Sequence, residues 1–130
     1  MAGTFKFELV TPERMALSED AAQVVVPGVE GEFTVLPGHA PVISALRPGV
    51  IEVVLPDASK TRIFVKGGFA EVDAGHLTVL AERALDVEAM DAATIAAELE
   101  TAQADLASAT DDAGRLAAAS AVERLRGLGR

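Results

Sequence analysis

The sequence predicts an α+β fold, an N-terminal antiparallel β-sandwich followed by a C-terminal antiparallel α-helical hairpin, and three observations carry that prediction. Short runs of alternating or β-branched residues recur from Thr4 to Ala81 with Gly and Pro between them, the pattern of a many-stranded sheet joined by tight turns rather than a parallel one. From about Asp86 onward there is no proline, few residues are β-branched, and Ala dominates alongside Leu, Glu and Asp, a composition suited to helices. Half of the 130 residues are hydrophobic, enough for a real core. The division falls between residues 1–85 and residues 86–130.

In Thr4–Val10 the apolar Phe5, Phe7 and Leu9 alternate with Thr4, Lys6 and Glu8, so one face of a strand is buried. Thr11-Pro12-Glu13 breaks it. After Met15 and Leu17 a β-branched run, Gln23–Val26, ends at Pro27-Gly28, and Glu32–Val35 is a short strand. Val50–Leu55 and Lys60–Lys66 flank Pro56-Asp57-Ala58-Ser59, a loop suited to a hairpin. Gly67-Gly68 reads as a turn or bulge ahead of Phe69–Asp73, and Ala74-Gly75 turns the chain into His76–Ala81. Beyond the sheet, Asp91 is positioned to cap a helix reaching about Ala107, with Ile95, Leu99, Ala102 and Leu106 on one face. Asp111 and Asp112 are capping residues for a second helix over about Ala113–Leu125, whose apolar face holds Ala118, Ala121, Val122 and Leu125 and leaves Leu116 outside; Gly127 and Gly129 favour fraying beyond it. The stripes are thin, so the hairpin is expected to bury little area.

The least interchangeable stretch is Glu30–Gly49. Pro37-Gly38 and Pro48-Gly49 bracket an apolar run that opens on His39 and contains Pro41. Proline donates no backbone hydrogen bond, so this run is expected to be a buried, irregular connection passing between or beside two packed layers of sheet.

Composition excludes several function classes. A formal net charge of −9 opposes nucleic acid, whose phosphates need a basic surface, and directs the chain toward basic protein partners. Five Phe with no Trp or Tyr make a poor stacking platform for bases or sugars. Absence of cysteine removes thiolate catalysis and Cys-ligated zinc. No apolar run approaches the length of a membrane span and the N-terminus lacks signal-peptide features, so a soluble, cytoplasmic chain is expected, without direct membrane insertion. No G-x-S-x-G elbow or phosphate loop occurs, and no catalytic residue or metal site is assigned. His39, His76 and Glu32 are the one set with metal-ligand chemistry, at a spacing that matches no local ligand motif.

The run EGEFTVLPGHAPVISALRPGV (Glu30–Val50), with KGGFAEV (Lys66–Val72) and LTVLAERA (Leu77–Ala84), resembles the epsilon subunit of bacterial rotary, proton-translocating ATP synthases. The similarity spans nearly the whole chain. It implies a non-catalytic rotor element of the central stalk on the cytoplasmic face of the inner membrane, whose sandwich holds the foot of the gamma subunit and rests on the polar loops of the c-ring. By motif matching, Glu30, Gly31, Glu32 and His39 fall where the family meets the c-ring, and an acidic turn suits basic and amide loops. In the family the helices approach the alpha and beta catalytic subunits, and some members hold ATP through an Ile/Leu-Asp-x-x-Arg pattern. Here Met90, Asp91 and Thr94 stand in that pattern, with Thr94 in place of the arginine. A vestigial nucleotide site, no cofactor and weak regulatory inhibition of ATP hydrolysis are what the resemblance then implies. Two other readings compete: a free-standing ligand-binding sandwich with the hairpin as a lid, and a metal-dependent enzyme built on His39, His76 and Glu32.

Overall fold

The alternation at the N-terminus becomes β1 (Phe5–Thr11), in which Phe5, Phe7 and Leu9 are all buried. A computed structural model of the chain describes residues 3–128, the side chains of residues 14 and 16 excepted. β2 (Arg14–Ala21), β3 (Gln23–Gly28), β4 (Gly31–Val35), β5 (Val42–Leu46), β6 (Gly49–Val54), β7 (Lys60–Val65), β8 (Gly68–Asp73), β9 (His76–Ala81) and β10 (Ala84–Asp86) complete the sheet, and α1 (Ala92–Ser108) and α2 (Asp112–Leu128) follow it.

The strands hydrogen-bond in the order β10-β7-β6-β3-β5-β8-β9-β1-β2, with β4 added to β3. Between β3 and β5 the ladder narrows to the single pair Gly28 and Leu46, and there the sheet folds over into two layers. β10-β7-β6-β3-β4 form one layer and β5-β8-β9-β1-β2 the other. Val24, Val26, Ile51, Val53 and Val65 from the first meet Phe7, Leu9, Val72, Leu77 and Val79 from the second in one apolar core. A Cβ at Gly28 would stand 2.8 Å from the Gly31 carbonyl oxygen and 3.1 Å from Ser44 Oγ, so only glycine fits at the fold-over.

Several elements differ from expectation. β1 and β9 run parallel, the exception in an otherwise antiparallel sheet, because the two strands meet only after the chain has closed around the core. β2 and β10 carry no clean alternation and are held by pairing to β1 and β7. The Ala40–Leu46 run is neither buried nor irregular throughout. Pro41 lies just ahead of β5, where no ladder donor is missed, and Val42 and Ile43 on that strand are exposed. Gly67 and Gly68 both take positive φ, at 80° and 123°, and a side chain at Gly68 would collide with the Leu80 carbonyl oxygen; the register to β9 runs through them without a bulge, and Gly68 begins β8 paired on both sides.

The helices pack on the outside of the first layer. The Asp91 carboxylate caps α1 by accepting the Thr94 N–H at 2.7 Å, and Asp111 caps α2 by accepting the Gly114 N–H at 2.7 Å. Ala118, Ala121, Val122 and Leu125 of α2 are buried and Leu116 is exposed, as the stripe requires. The expected stop at Leu125 is not observed: α2 runs 17 residues to Leu128, about 25 Å at 1.5 Å per residue. Leu128 reaches the apolar cluster, and that burial offsets the roughly 1 kcal/mol cost of Gly127 inside a helix. The hairpin also buries more than its alanines suggest, because Val50, Phe64 and Leu85 from the sheet fill the space beneath Leu99, Leu106 and Leu125.

Candidate functional site

The acidic turn is built by the β3–β4 hairpin. Gly28 and Gly31 close the ladder around Val29 and Glu30, and Gly31 sits at φ 136°, a conformation other residues rarely adopt. Glu30, Gly31 and Glu32 are exposed at this tip. His39 lies on the β4–β5 connection. Its backbone N–H donates to the Leu36 carbonyl at 3.1 Å, and its ring lies 6.5 Å from that of Phe33 on β4, tilted by 42°. The imidazole Nδ1 lies 2.6 Å from the Ala40 carbonyl oxygen, and since a carbonyl only accepts, the hydrogen of that contact is on Nδ1.

An exposed apolar row begins beside that turn, a feature the sequence reading missed. The Val29 N–H donates to the Ala45 carbonyl at 3.0 Å, and from Ala45 the register runs directly across the second layer to Phe69, Leu80, Val10 and Met15. Directly paired residues share a face, so these side chains form one line on the outside of the sheet. Phe69, Leu80 and Met15 remain 56%, 52% and 54% exposed. A one-residue slip between Leu9 and Val10 places Met15 opposite Val10, the re-aiming that a β-bulge performs. The adjacent row is acidic where it carries Glu71 and Glu8. On its other side the apolar row opens into a groove of about 690 Å³ between Pro12, Leu46 and Pro48 of the sandwich and Gly114, Ala117 and Ala121 of α2, with Glu82 and Asp105 in its lining. The visible sequence signal was the large apolar residues Phe69 and Leu80, each out of phase with the buried set of its own strand.

Glu32 lines a second cleft, of about 420 Å³, with Arg47, Ser120, Glu123 and Arg124. The fold thus brings the acidic turn next to the last turns of α2. Met90, Asp91 and Thr94 are elsewhere: Met90 packs into the apolar cluster beneath the helices, and Asp91 and Thr94 make the cap. The Asp91 carboxyl is held below its ordinary value, first by the Thr94 backbone N–H and then by the Thr94 hydroxyl. His76 starts β9, where its Nδ1 lies 3.3 Å from the Ala74 carbonyl oxygen. Among the described residues no three His, Asp or Glu side chains are grouped to hold a metal ion, and none of the helices is long and apolar enough to cross a membrane.

A sandwich of this topology with two trailing helices defines a class. The family model for the ATP synthase delta/epsilon chain beta-sandwich domain matches residues 4–87. The chain is 45% identical over 128 residues to the ATP synthase epsilon chain of Maricaulis maris, covering 98% of this chain and 96% of that one. It is 46% identical over 121 residues to the epsilon chain of Rhodospirillum rubrum, covering 93% and 90%. Among solved structures, a chain of the Euglena gracilis mitochondrial ATP synthase, in an OSCP/F1/c-ring assembly, superposes with a TM-score of 0.74 at 29% identity over 96% of this chain and 79% of that chain. A chain of the Tetrahymena thermophila mitochondrial enzyme shares the fold, with a TM-score of 0.66 at 16% identity over 99% and 98% of the two chains. The chain belongs to the ATP synthase epsilon chain family.

Proposed function

We propose that this chain is the non-catalytic central-stalk subunit of a proton-translocating ATP synthase, seated between the gamma shaft and the polar loops of the c-ring and passing torque between them. The observation that carries the reading is the exposed row Ala45–Phe69–Leu80–Val10–Met15, which starts at the acidic turn. An open apolar line of this kind on a sheet needs a protein partner, and gamma is the partner assigned to it. Its methyl and aryl groups offer docking area and no nucleophile or base. At the end of the row lies the exposed tip Glu30–Glu32, with His39 on the next connection beside Phe33, and these residues are assigned to the c-ring, where exposed carboxylates contribute register and steering more than affinity. The Euglena relative, solved in an assembly of F1 with a c-ring, supports the same placement. The position that follows is peripheral, on the cytoplasmic face of the membrane that holds the ring.

The helices are assigned no dependence on ATP and only weak inhibition of hydrolysis, with any reach toward the alpha and beta subunits limited by charge. The Asp91 carboxylate is engaged in the α1 cap and Met90 in apolar packing, while Thr94 brings no cation to a polyphosphate. α1 contains no Lys or Arg, and α2 sets Asp112 and Glu123 against Arg115, Arg124 and Arg126. Reconstitution of a synthase depleted of this subunit tests the whole reading. Adding the chain is expected to restore coupled proton pumping, and failure to bind gamma would remove the assignment. Calorimetry with ATP is expected to show no binding, and a micromolar affinity would overturn that part.

A further inference from the structure

Among the described residues Glu98 is the charged side chain that is buried, at 9% exposure. It lies within the apolar stripe of α1, three residues after Ile95 and four before Ala102, facing the sandwich rather than water. One carboxylate oxygen accepts from the Arg83 guanidinium at 2.8 Å, and the other lies 3.9 Å from the Lys66 ammonium. Those two cations come from different connections, Lys66 between β7 and β8 and Arg83 between β9 and β10. The two connections are neighbours, the Lys66 N–H donating to the Arg83 carbonyl at 3.1 Å, so the carboxylate is tied to one defined point of the sandwich by a hydrogen bond and a longer ion pair. The apolar contact around it does not have that property. Val50, Phe64 and Leu85 of the sheet meet Leu99, Ala102, Ala121 and Leu125 there, and apolar attraction among them is non-directional; on α2 the Ser120 hydroxyl adds a single hydrogen bond to the Pro48 carbonyl at 2.9 Å. A shift of the helices along the sheet would leave Glu98 buried away from both cations, which is strongly unfavourable.

We propose that Glu98 is an orientation lock: its ion pairs with Arg83 and Lys66 select one register of the helical hairpin on the sandwich, while apolar packing supplies the attraction. The lock separates two properties that apolar packing alone would merge, whether the helices are docked and where they are docked.

The full-length chain tests this with three variants, Glu98→Gln, Glu98→Leu and Arg83→Met. The chain has no cysteine, so spin labels at introduced Glu71→Cys and Thr110→Cys report one distance from sandwich to helix tip, and hydrogen exchange reports protection in each element. Wild type is expected to give one narrow distance distribution. Glu98→Gln and Arg83→Met should each broaden it and raise exchange in α1 and α2 by on the order of tenfold, the effect of losing a charged hydrogen bond in a partly buried site, with β1, β3 and β9 unchanged. Glu98→Leu should keep the helices protected yet broaden the distance, since the attraction survives and the register does not. A narrow wild-type distance in Glu98→Leu would overturn the proposal, because packing alone would then be orienting the helices. So would unchanged exchange and distance in Glu98→Gln, or an equal rise in exchange throughout the sandwich, which would make Glu98 a general stabiliser.

Discussion

Two apolar rows cross the outside of the sandwich, one on each layer, and this chain covers only one of them. Val50, Phe64 and Leu85 are aligned by register across β6, β7 and β10, and the helices close over them until Phe64 has no exposure. Ala45, Phe69, Leu80, Val10 and Met15 are aligned in the same way across the opposite layer, where α2 reaches only the margin of the row and Phe69, Leu80 and Met15 stay more than half exposed. The rows are chemically alike. The difference teaches that an outward apolar row in this fold is a docking platform, met by the chain's own helices on one layer and left open on the other. It also explains the charge around each row. The covered row has a two-point ionic contact in Glu98, Arg83 and Lys66, whereas the open row is bordered by Glu71, Glu8 and Glu82, a border suited to a basic partner.

The largest effect is expected where the row is covered. Phe64→Ala should cost about 3–5 kcal/mol in urea unfolding, the range for emptying a buried phenylalanine site, whereas Phe69→Ala should stay within about 0.5 kcal/mol as an exposed substitution. Equal costs would end the distinction between the rows. The open row is sharpened by Phe69→Asp with Leu80→Asp, which should weaken binding to purified gamma by at least about thirtyfold, the loss expected on removing an interface hot spot. If affinity stays within a factor of a few, the row is not where gamma sits.

At the end of the open row, Glu32→Lys combined with His39→Ala should lower coupled proton pumping in the reconstituted enzyme and leave the melting temperature within about 2 °C of wild type. Unaltered pumping would detach the acidic turn from the ring.

The smallest effect concerns the cap of α1. The Asp91 carboxyl titrates below its ordinary value because the ionised form accepts from Thr94, so its contribution is present above the unfolded value, about pH 4, and is lost as pH falls through the lower folded value. The Thr94 amide shift in NMR should follow that titration and lose it in Asp91→Ala. A midpoint at or above the ordinary aspartate value would contradict the cap.

The sequence by itself determined what depends on neighbours in the chain. Alternation at Phe5, Phe7 and Leu9 marked β1, Ala74-Gly75 and Pro56–Ser59 marked hairpins, and Asp91 and Asp111 marked helix starts, because a cap or a tight turn is made within three or four residues. The face of α2 was legible for the same reason, and the residues of the acidic turn were recognised through a resemblance that quoted them directly. What only the tertiary structure decided depends on residues far apart in the chain. Pro41 and its neighbours suggested burial, yet Ile43 is 70% exposed, since which side of a strand meets water is set by the layer behind it. No local pattern announces that Met15, Val10, Leu80, Phe69 and Ala45 share a line, because that line is a matter of register among five strands. Glu98 shows the limit most clearly. Its place between Ile95 and Ala102 put it on the apolar face of α1, a signal available beforehand, but a carboxylate there is tolerable only because the fold delivers Arg83 and Lys66 to it from 15 and 32 residues away.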